Sequence, residues 1–142
     1  MTGSGRPSAT RYRLLETIRQ YAAEHLHQSG GVESARDAHS VHYRRLAAEL
    51  AAGWTTRDQF AAYARFADEI ANIVAAIEWV LEREGLAAAV AVFDSLRFNG
   101  TLAHSPRSYE HLGRLAVALA GEPGVEDLPG FGSVGNWAWN RL

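Results

Sequence analysis

The sequence predicts an all-α fold of five to six helices, arranged as antiparallel helical hairpins in a bundle or a repeat-like array. The strongest observation is the stretch of residues 65–81. Apolar residues recur there at spacings of three and four, which is the period of a helix with one buried face. A second observation is that no Gly or Pro occurs from Thr55 to Glu84. A helix this long and apolar must be covered by other helices, and the segments on both sides show similar periodicity.

Three regions are predicted along the 142 residues of the chain. Residues 1–10 are rich in Gly, Ser and Pro and are predicted to be a flexible leader. Residues 11–121 carry the helical patterns and are predicted to form a helical domain. Residues 122–142 begin with a stretch rich in Gly, Pro and acidic residues, so we expect a linker and the start of a further helix.

The first predicted helix begins near Tyr12 and ends at Ser29–Gly30–Gly31, because Gly readily adopts the left-handed conformation that ends helices. Residues 11–15 would also suit the edge of a strand, and the sequence leaves this alternative open. The second predicted helix runs from about Glu33 to Ala52. The apolar face of the first helix comprises Leu14, Leu15, Ile18, Ala22 and Leu26, and that of the second comprises His39, Tyr43, Leu46, Ala47 and Leu50.

The third predicted helix begins at Thr55, which precedes Asp58 by three residues as in a capping box, and it ends before Gly85. Trp79 lies at the edge of its apolar stripe, so we expect this side chain to fill the junction between the third and fourth helices. Glu69 and Asn72 either face solvent or form hydrogen bonds with a neighbouring helix. The predicted buried stripe comprises Phe66, Ile70, Ile73, Ile77 and Val80, widened by Val74 and Leu81.

The fourth predicted helix runs from about Leu86 to Leu102. Ser105–Pro106 predicts the start of a fifth helix, because Ser is a favoured N-cap and Pro fits the first helical position. A further helix is predicted to open at Gly135, and we expect its Trp137 and Trp139 to lack a partner helix. The inward residues are Val90, Phe93 and Leu96 or Arg97 in the fourth helix, and Tyr109, Leu112, Leu115, Ala116 and Leu119 in the fifth, which Gly121 ends.

Composition excludes several functional classes. The formal charge of −2 argues against nucleic-acid binding through bulk electrostatics, so we expect no direct nucleic-acid partner. The absence of Cys excludes thiolate metal sites, and the absence of Lys excludes a phosphate loop that ends in Gly-Lys-Ser/Thr. No apolar run approaches the roughly 20 residues of a membrane span. We therefore expect a cytoplasmic protein without membrane contact, catalytic residues or cofactor.

Six histidines raise the question of a metal site. His39 and His42 lie three residues apart, and Glu24 and His27 form one Glu-x-x-His spacing. A di-iron bundle needs that motif on two helices and a Glu from each of two others, but only one copy occurs here. Core or surface histidines are therefore the favoured interpretation, and no metal site is predicted.

Two segments resemble a known family. Residues 12–22, with the sequence YRLLETIRQYA, resemble a segment of bacterial transcriptional regulators built on STAND-type ATPases, which include LuxR-type and cyclase-fused regulators. Residues 39–49 resemble the next helix of that family. Arg65–Phe66, Glu69, Asn72, Ala76 and Trp79 match a later pattern, "RL..E..N...A..W".

The resemblance, which covers about Tyr12 to Leu119, implies a helical connector between an ATPase core and tetratricopeptide-like repeats. In the family, the first segment closes a winged-helix-like domain. The implied role is to relay effector binding through contacts with other domains of the same regulator or with a protein partner, and a homodimer is a further expectation. The alternative is an independent small helical protein that binds a ligand or metal. The residues predicted to serve structure and interaction are Phe66, Glu69, Asn72, Ile73, Ile77, Trp79, Trp137 and Trp139.

Overall fold

A computed structural model describes residues 15–96 and 109–139, and every regular element in these two ranges is helical. The all-α prediction, with antiparallel helical hairpins and five to six helices, is confirmed. The chain divides into two compact units, Met1–Glu33 and Ser34–Leu142. The predicted regions 1–10, 11–121 and 122–142 stay predictions. No helix in the described ranges is both long enough and apolar enough to cross a bilayer.

The first unit contains one described helix, α1 (Glu16–Gln28). The predicted apolar face of this helix is not buried: Leu15, directly before it, is 70% exposed, and no residue of α1 itself is buried. The helix ends as predicted, because Ser29 caps it and Gly30 follows with a φ of 69°. The strand alternative for residues 11–15 falls mostly outside the described residues.

The unit boundary falls inside the first turn of α2 (Val32–Gly53), and from Ser34 onward α2 belongs to the second unit, where it forms an antiparallel hairpin with α3 (Gln59–Glu84). Contacts pair the start of α2 with the end of α3. The Ser40 hydroxyl donates a 3.2 Å hydrogen bond to the Ala76 carbonyl, and a Cβ at Gly53 would lie 3.1 Å from that of Ala62. The small residues at these positions let the two backbones approach closely.

The start of α3 differs from the prediction, because Thr55 does not cap the helix. The helix begins at Gln59, and its N-cap Asp58 makes no side-chain capping bond. Thr56 instead donates its hydroxyl to the Gly53 carbonyl at 2.8 Å and accepts the Asp58 N–H at 3.2 Å. A Thr side chain that forms such local hydrogen bonds with the backbone stabilises a turn and so competes with the start of a helix.

The predicted buried stripe of α3 is confirmed. Phe66, Ile77 and Val80 are fully buried, and Leu81 at the edge is half-buried. The other buried members of the stripe are Ile70, Ile73 and Val74. Burial of a large apolar side chain contributes about 1.5–3 kcal/mol, so this face supplies much of the driving force for folding.

One residue, Gly85, separates α3 from α4 (Leu86–Ser95). Its φ of 89° and ψ of 179° fall in a region that only Gly occupies readily, so the predicted break is confirmed. The α4 helix ends earlier than the predicted Leu102. Residues 97–108 lie outside the described ranges, as does the predicted start at Ser105–Pro106. Val90, Phe93 and Leu96 are buried as predicted.

The second unit is completed by α5 (Glu110–Ala120), a short 3₁₀ turn (Val125–Asp127) and α6 (Phe131–Trp139). These two α-helices pack antiparallel, since Tyr109 at the start of α5 lies beside Trp137 at the end of α6. The α6 helix also packs on α4, and α5 packs on α3. The predicted inward residues of α5 are all buried: Tyr109, Leu112, Leu115, Ala116 and Leu119.

Candidate interaction surface

The α2–α3 hairpin brings together the residues with the most distinctive chemistry in the second unit. Trp79 is 8% exposed and lies on the α2 side of α3, where its indole N–H donates a 2.8 Å hydrogen bond to Oδ1 of Asp37. The Arg36 guanidinium lies 4.0 Å from the centre of the indole ring, and that of Arg83 lies 5.5 Å away. These distances are within the range of cation–π attraction.

The predicted place of Trp79 is therefore wrong. The side chain fills the seam between α2 and α3 and not the junction between α3 and α4. The physical reason is that a buried indole N–H needs an acceptor, and Asp37 on α2 provides one. Neither Asp37 nor Arg36 was singled out from the sequence, because a polar residue on a helix surface carries no local signal of its partner.

Two ion pairs extend the polar contacts of this seam. Arg36 pairs with Glu82 at 3.2 Å, and Arg44 pairs with Glu84 at 2.7 Å. All four side chains are between one third and three fifths exposed, so each pair contributes little to stability, typically about 0–1 kcal/mol. The Arg36–Glu82 pair lies at the end of the hairpin away from its loop, whereas Arg44 lies in the middle of α2.

The loop end of the same hairpin is aromatic. Trp54 packs edge-on against Phe66, with ring centroids 5.5 Å apart, and Tyr63 lies 5.8 Å from Trp54. The Tyr63 hydroxyl donates a 3.4 Å hydrogen bond to the Trp54 carbonyl. Trp54 was missed in the sequence because it follows Gly53, after the predicted helix end. Phe66 is thus a core residue that closes the hairpin.

Glu69 and Asn72 bond to each other. The Asn72 amide donates a 2.8 Å hydrogen bond to a carboxylate oxygen of Glu69 one turn earlier on α3, and both residues are half-buried. Ile73 and Ile77 are at most 1% exposed, which places them in the core and away from any partner. Their predicted contribution to structure fits this position, whereas a direct interaction role stays a prediction.

The two C-terminal tryptophans differ in their surroundings. Trp137 is half-buried and packs on the core, with its ring centroid 6.2 Å from that of Tyr109. Trp139 is 79% exposed. The expectation that both lack a partner helix is wrong for Trp137, because α6 folds onto α4 and α5 of its own unit.

A polar contact joins α4 to the start of α6. The Ser133 hydroxyl donates a short hydrogen bond to Oδ1 of Asp94. Gly130, with a φ of 91°, lies against the same side chain: a Cβ there would be 2.8 Å from the Asp94 Cβ. The Asp94 carboxylate thus lies near the N-terminal turn of α6, where the helix dipole favours negative charge.

Titration and metal binding offer few candidate sites in the described ranges. Burial raises the pKa of the Tyr109 hydroxyl, and electrostatic repulsion from the nearby Tyr63 raises it further. His39 and His42 both lie against Tyr43, with ring centroids 4.5 Å and 4.8 Å from its ring. No group of three or more potential metal ligands occurs among the described residues.

Large apolar side chains remain exposed in both units. In the second unit they are Phe60 at the start of α3 (78% exposed), Val41 on α2, Val117 on α5 and Trp139 on α6. In the first unit they are Leu15, Ile18, Tyr21 and Leu26. Exposed apolar side chains are the features of this protein best suited to contact another protein surface.

Known proteins similar to this chain include regulators from mycobacteria. The chain is 39% identical over 88 residues to one protein of Mycobacterium bovis and, with the same figures, to one of Mycobacterium tuberculosis; both are provisionally named HTH-type transcriptional regulators. The match covers 62% of this chain and 10% of each relative, so the chain spans about a tenth of their length. No family model matches the chain, and no solved structure matches it significantly.

Proposed function

We propose that this chain is a non-catalytic helical connector of a multidomain transcriptional regulator of the STAND ATPase class. It relays effector binding in the cytoplasm through contacts with neighbouring domains or a protein partner. The observation that carries the proposal is the 39% identity to proteins named as transcriptional regulators, of which the chain matches only a tenth. In those relatives, the matching segment is a small part of a much longer polypeptide.

The α2–α3 hairpin supports the proposal. Residues that carry the family resemblance have defined structural roles in it: the Ala76 carbonyl accepts from Ser40, Trp79 donates to Asp37, and Phe66 packs on Trp54. These contacts join α3 to α2 and to the loop between them, which is the kind of role that a helical connector requires.

Surface chemistry is also consistent with an interaction module. Phe60 and Val41 lie on the two helices of the hairpin and are 78% and 65% exposed. Apolar side chains of this size stabilise a complex when a partner covers them. We assign to these two residues the contact with a neighbouring domain or partner protein.

The test begins with the gene. The genomic sequence on both sides of the segment that encodes this chain is examined. We expect the same open reading frame to encode an ATPase with a phosphate loop. Phe60→Ser and Val41→Ser in that full-length regulator should weaken effector-dependent transcription from a reporter at unchanged protein level. Glu49→Ser on the exposed face of α2 is the matched control and should have no effect. A reporter response that survives both apolar substitutions would contradict the assignment.

The rival function is that of an independent small helical protein that binds a ligand or metal. The His39–Tyr43–His42 ring cluster is the observation that favours it. Elemental analysis of the purified chain, with thermal shifts after addition of Zn²⁺ or Fe²⁺, separates the two functions. A stoichiometric metal that is lost in His39→Ala would favour the rival, whereas a metal-free chain with an unchanged melting temperature favours the connector.

A further inference from the structure

The start of α2 is attached to α3 in a different way from the rest of that helix. Residues 34–38 are exposed and His39 is half-buried, so this segment, the α2 arm (residues 34–39), contributes no buried side chain. Burial begins at Ser40 and continues with Leu46, Ala47 and Leu50. Buried apolar side chains of α2 therefore hold its later turns on the core, whereas the arm supplies no buried side chain of its own and covers the Trp79 ring of α3.

The α2 arm contacts α3 through its charged side chains. These contacts include the Arg36–Glu82 ion pair at 3.2 Å, the Arg36 guanidinium over the Trp79 ring at 4.0 Å, and the 2.8 Å bond from Trp79 to Asp37. Each involves a charged side chain of the arm. The Arg36 and Glu82 side chains are 47% and 55% exposed, so dissolved salt screens their attraction.

We propose that the α2 arm is an electrostatic clasp on α3 that opens and closes while the hydrophobic core stays folded. Ser40, buried and bonded to the Ala76 carbonyl, marks the point at which the helix becomes anchored. Opening exposes the indole of Trp79 and removes its acceptor, Asp37. Local opening of this kind is expected where a segment has few buried apolar contacts. The clasp does not depend on the proposed connector function.

Hydrogen–deuterium exchange of the full chain tests the clasp. Amides of residues 36–41 are compared with those of residues 46–52 at ionic strengths of about 0.01 M and 1 M, where the Debye length falls from about 30 Å to 3 Å. The arm should exchange roughly 5- to 30-fold faster at high salt, the factor that corresponds to the loss of a few weak charged contacts. The exchange of residues 46–52 should not change.

Two Glu→Ala variants distinguish the clasp from ordinary fraying of a helix end. Glu82→Ala removes the partner of Arg36 from α3, and should speed exchange in the arm at low salt and reduce its further response to salt. Glu49→Ala removes the exposed Arg45–Glu49 pair within α2 and should leave the arm unchanged. If Glu82→Ala does not alter exchange in the arm, or if the arm and residues 46–52 always exchange together, the clasp does not exist.

Discussion

The indole N–H of Trp79 and the carboxylate of Asp37 form a 2.8 Å hydrogen bond that joins the end of α3 to the start of α2. Burial of the indole ring is favourable, but it removes the water that would accept a hydrogen bond from the ring N–H. Asp37 replaces that water as the acceptor. The Arg36 guanidinium on the ring face completes the arrangement. The hairpin thus has a polar end at Trp79 and an aromatic end at Trp54.

Replacement of Trp79 should reveal how much this packing contributes. We expect Trp79→Ala to lower the free energy of unfolding by about 3 kcal/mol, at the lower end for large aromatics because the residue lies at a rim. Trp79→Phe keeps an aromatic ring but loses the hydrogen bond and part of the buried indole, so its cost should exceed about 1 kcal/mol and stay below that of Trp79→Ala. Chemical denaturation measures both, with the exposed neighbour Glu78→Ala as control. Equal effects of Trp79→Ala and Glu78→Ala would show that the indole is not packed.

Ser40 should be sensitive to size. It is 3% exposed and lies where α2 and α3 approach closely enough for its hydroxyl to reach the Ala76 carbonyl. Ser40→Leu should destabilise by about 1–3 kcal/mol through overpacking, and Ser40→Ala by about 1 kcal/mol through the lost bond. Thermal unfolding provides the measurement. Val41→Leu, the adjacent exposed position, should be nearly neutral, and a Ser40→Leu variant as stable as Val41→Leu would refute the close approach.

Gly130 should tolerate substitution less well than Gly124. Both have a positive φ, of 91° and 79°, but a Cβ at Gly130 meets the Asp94 side chain whereas one at Gly124 meets nothing within 4 Å. Gly124→Ala should therefore cost only the backbone strain, about 1–2 kcal/mol. Gly130→Ala adds a steric clash and should cost more in the same urea titration. A smaller loss for Gly130→Ala than for Gly124→Ala would be inconsistent with the described packing of α4 on α6.

Stability should fall at alkaline pH partly through Tyr109. Burial raises the pKa of its hydroxyl above the ordinary value of 10.0, so the folded state retains the proton longer than the unfolded state. This contribution is fully present below pH 10 and is lost as the pH rises from there through the folded pKa. Urea titrations at pH 9 and pH 11 should show a smaller loss for Tyr109→Phe than for the unchanged protein. Tyr21→Phe, at an exposed position, should not reduce the loss.

Self-association, if it occurs through the C-terminal helix, should depend on Trp139 and not on Trp137. The exposed Trp139 side chain is available to a second copy, whereas Trp137 packs within its own unit. Light scattering at high concentration should therefore show less dimer for Trp139→Ser at unchanged stability. Trp137→Ser should instead lower the melting temperature. If the Trp139→Ser variant still forms the dimer, the interface does not involve Trp139 and lies at another exposed residue, such as Phe60.

The buried faces of α3 and α5 could be predicted from the amino-acid pattern alone. The stripes of α3 and α5 were predicted residue by residue, because the 3.6-residue period is a property of the local backbone and requires no knowledge of the partner. The break at Gly85 could also be predicted locally, because Gly readily adopts backbone conformations that are strained for residues with a Cβ.

The neighbour that covers each buried face could not be predicted in the same way. Trp79 was assigned to the wrong junction because its acceptor, Asp37, lies 42 residues away and no local pattern connects them. Trp137 has a partner because the chain from Gly121 to Gly130 turns α6 back onto α5. Periodicity specifies the side of a helix that is apolar, but contact depends on where the other helices lie, and that is set by the packing of the whole chain.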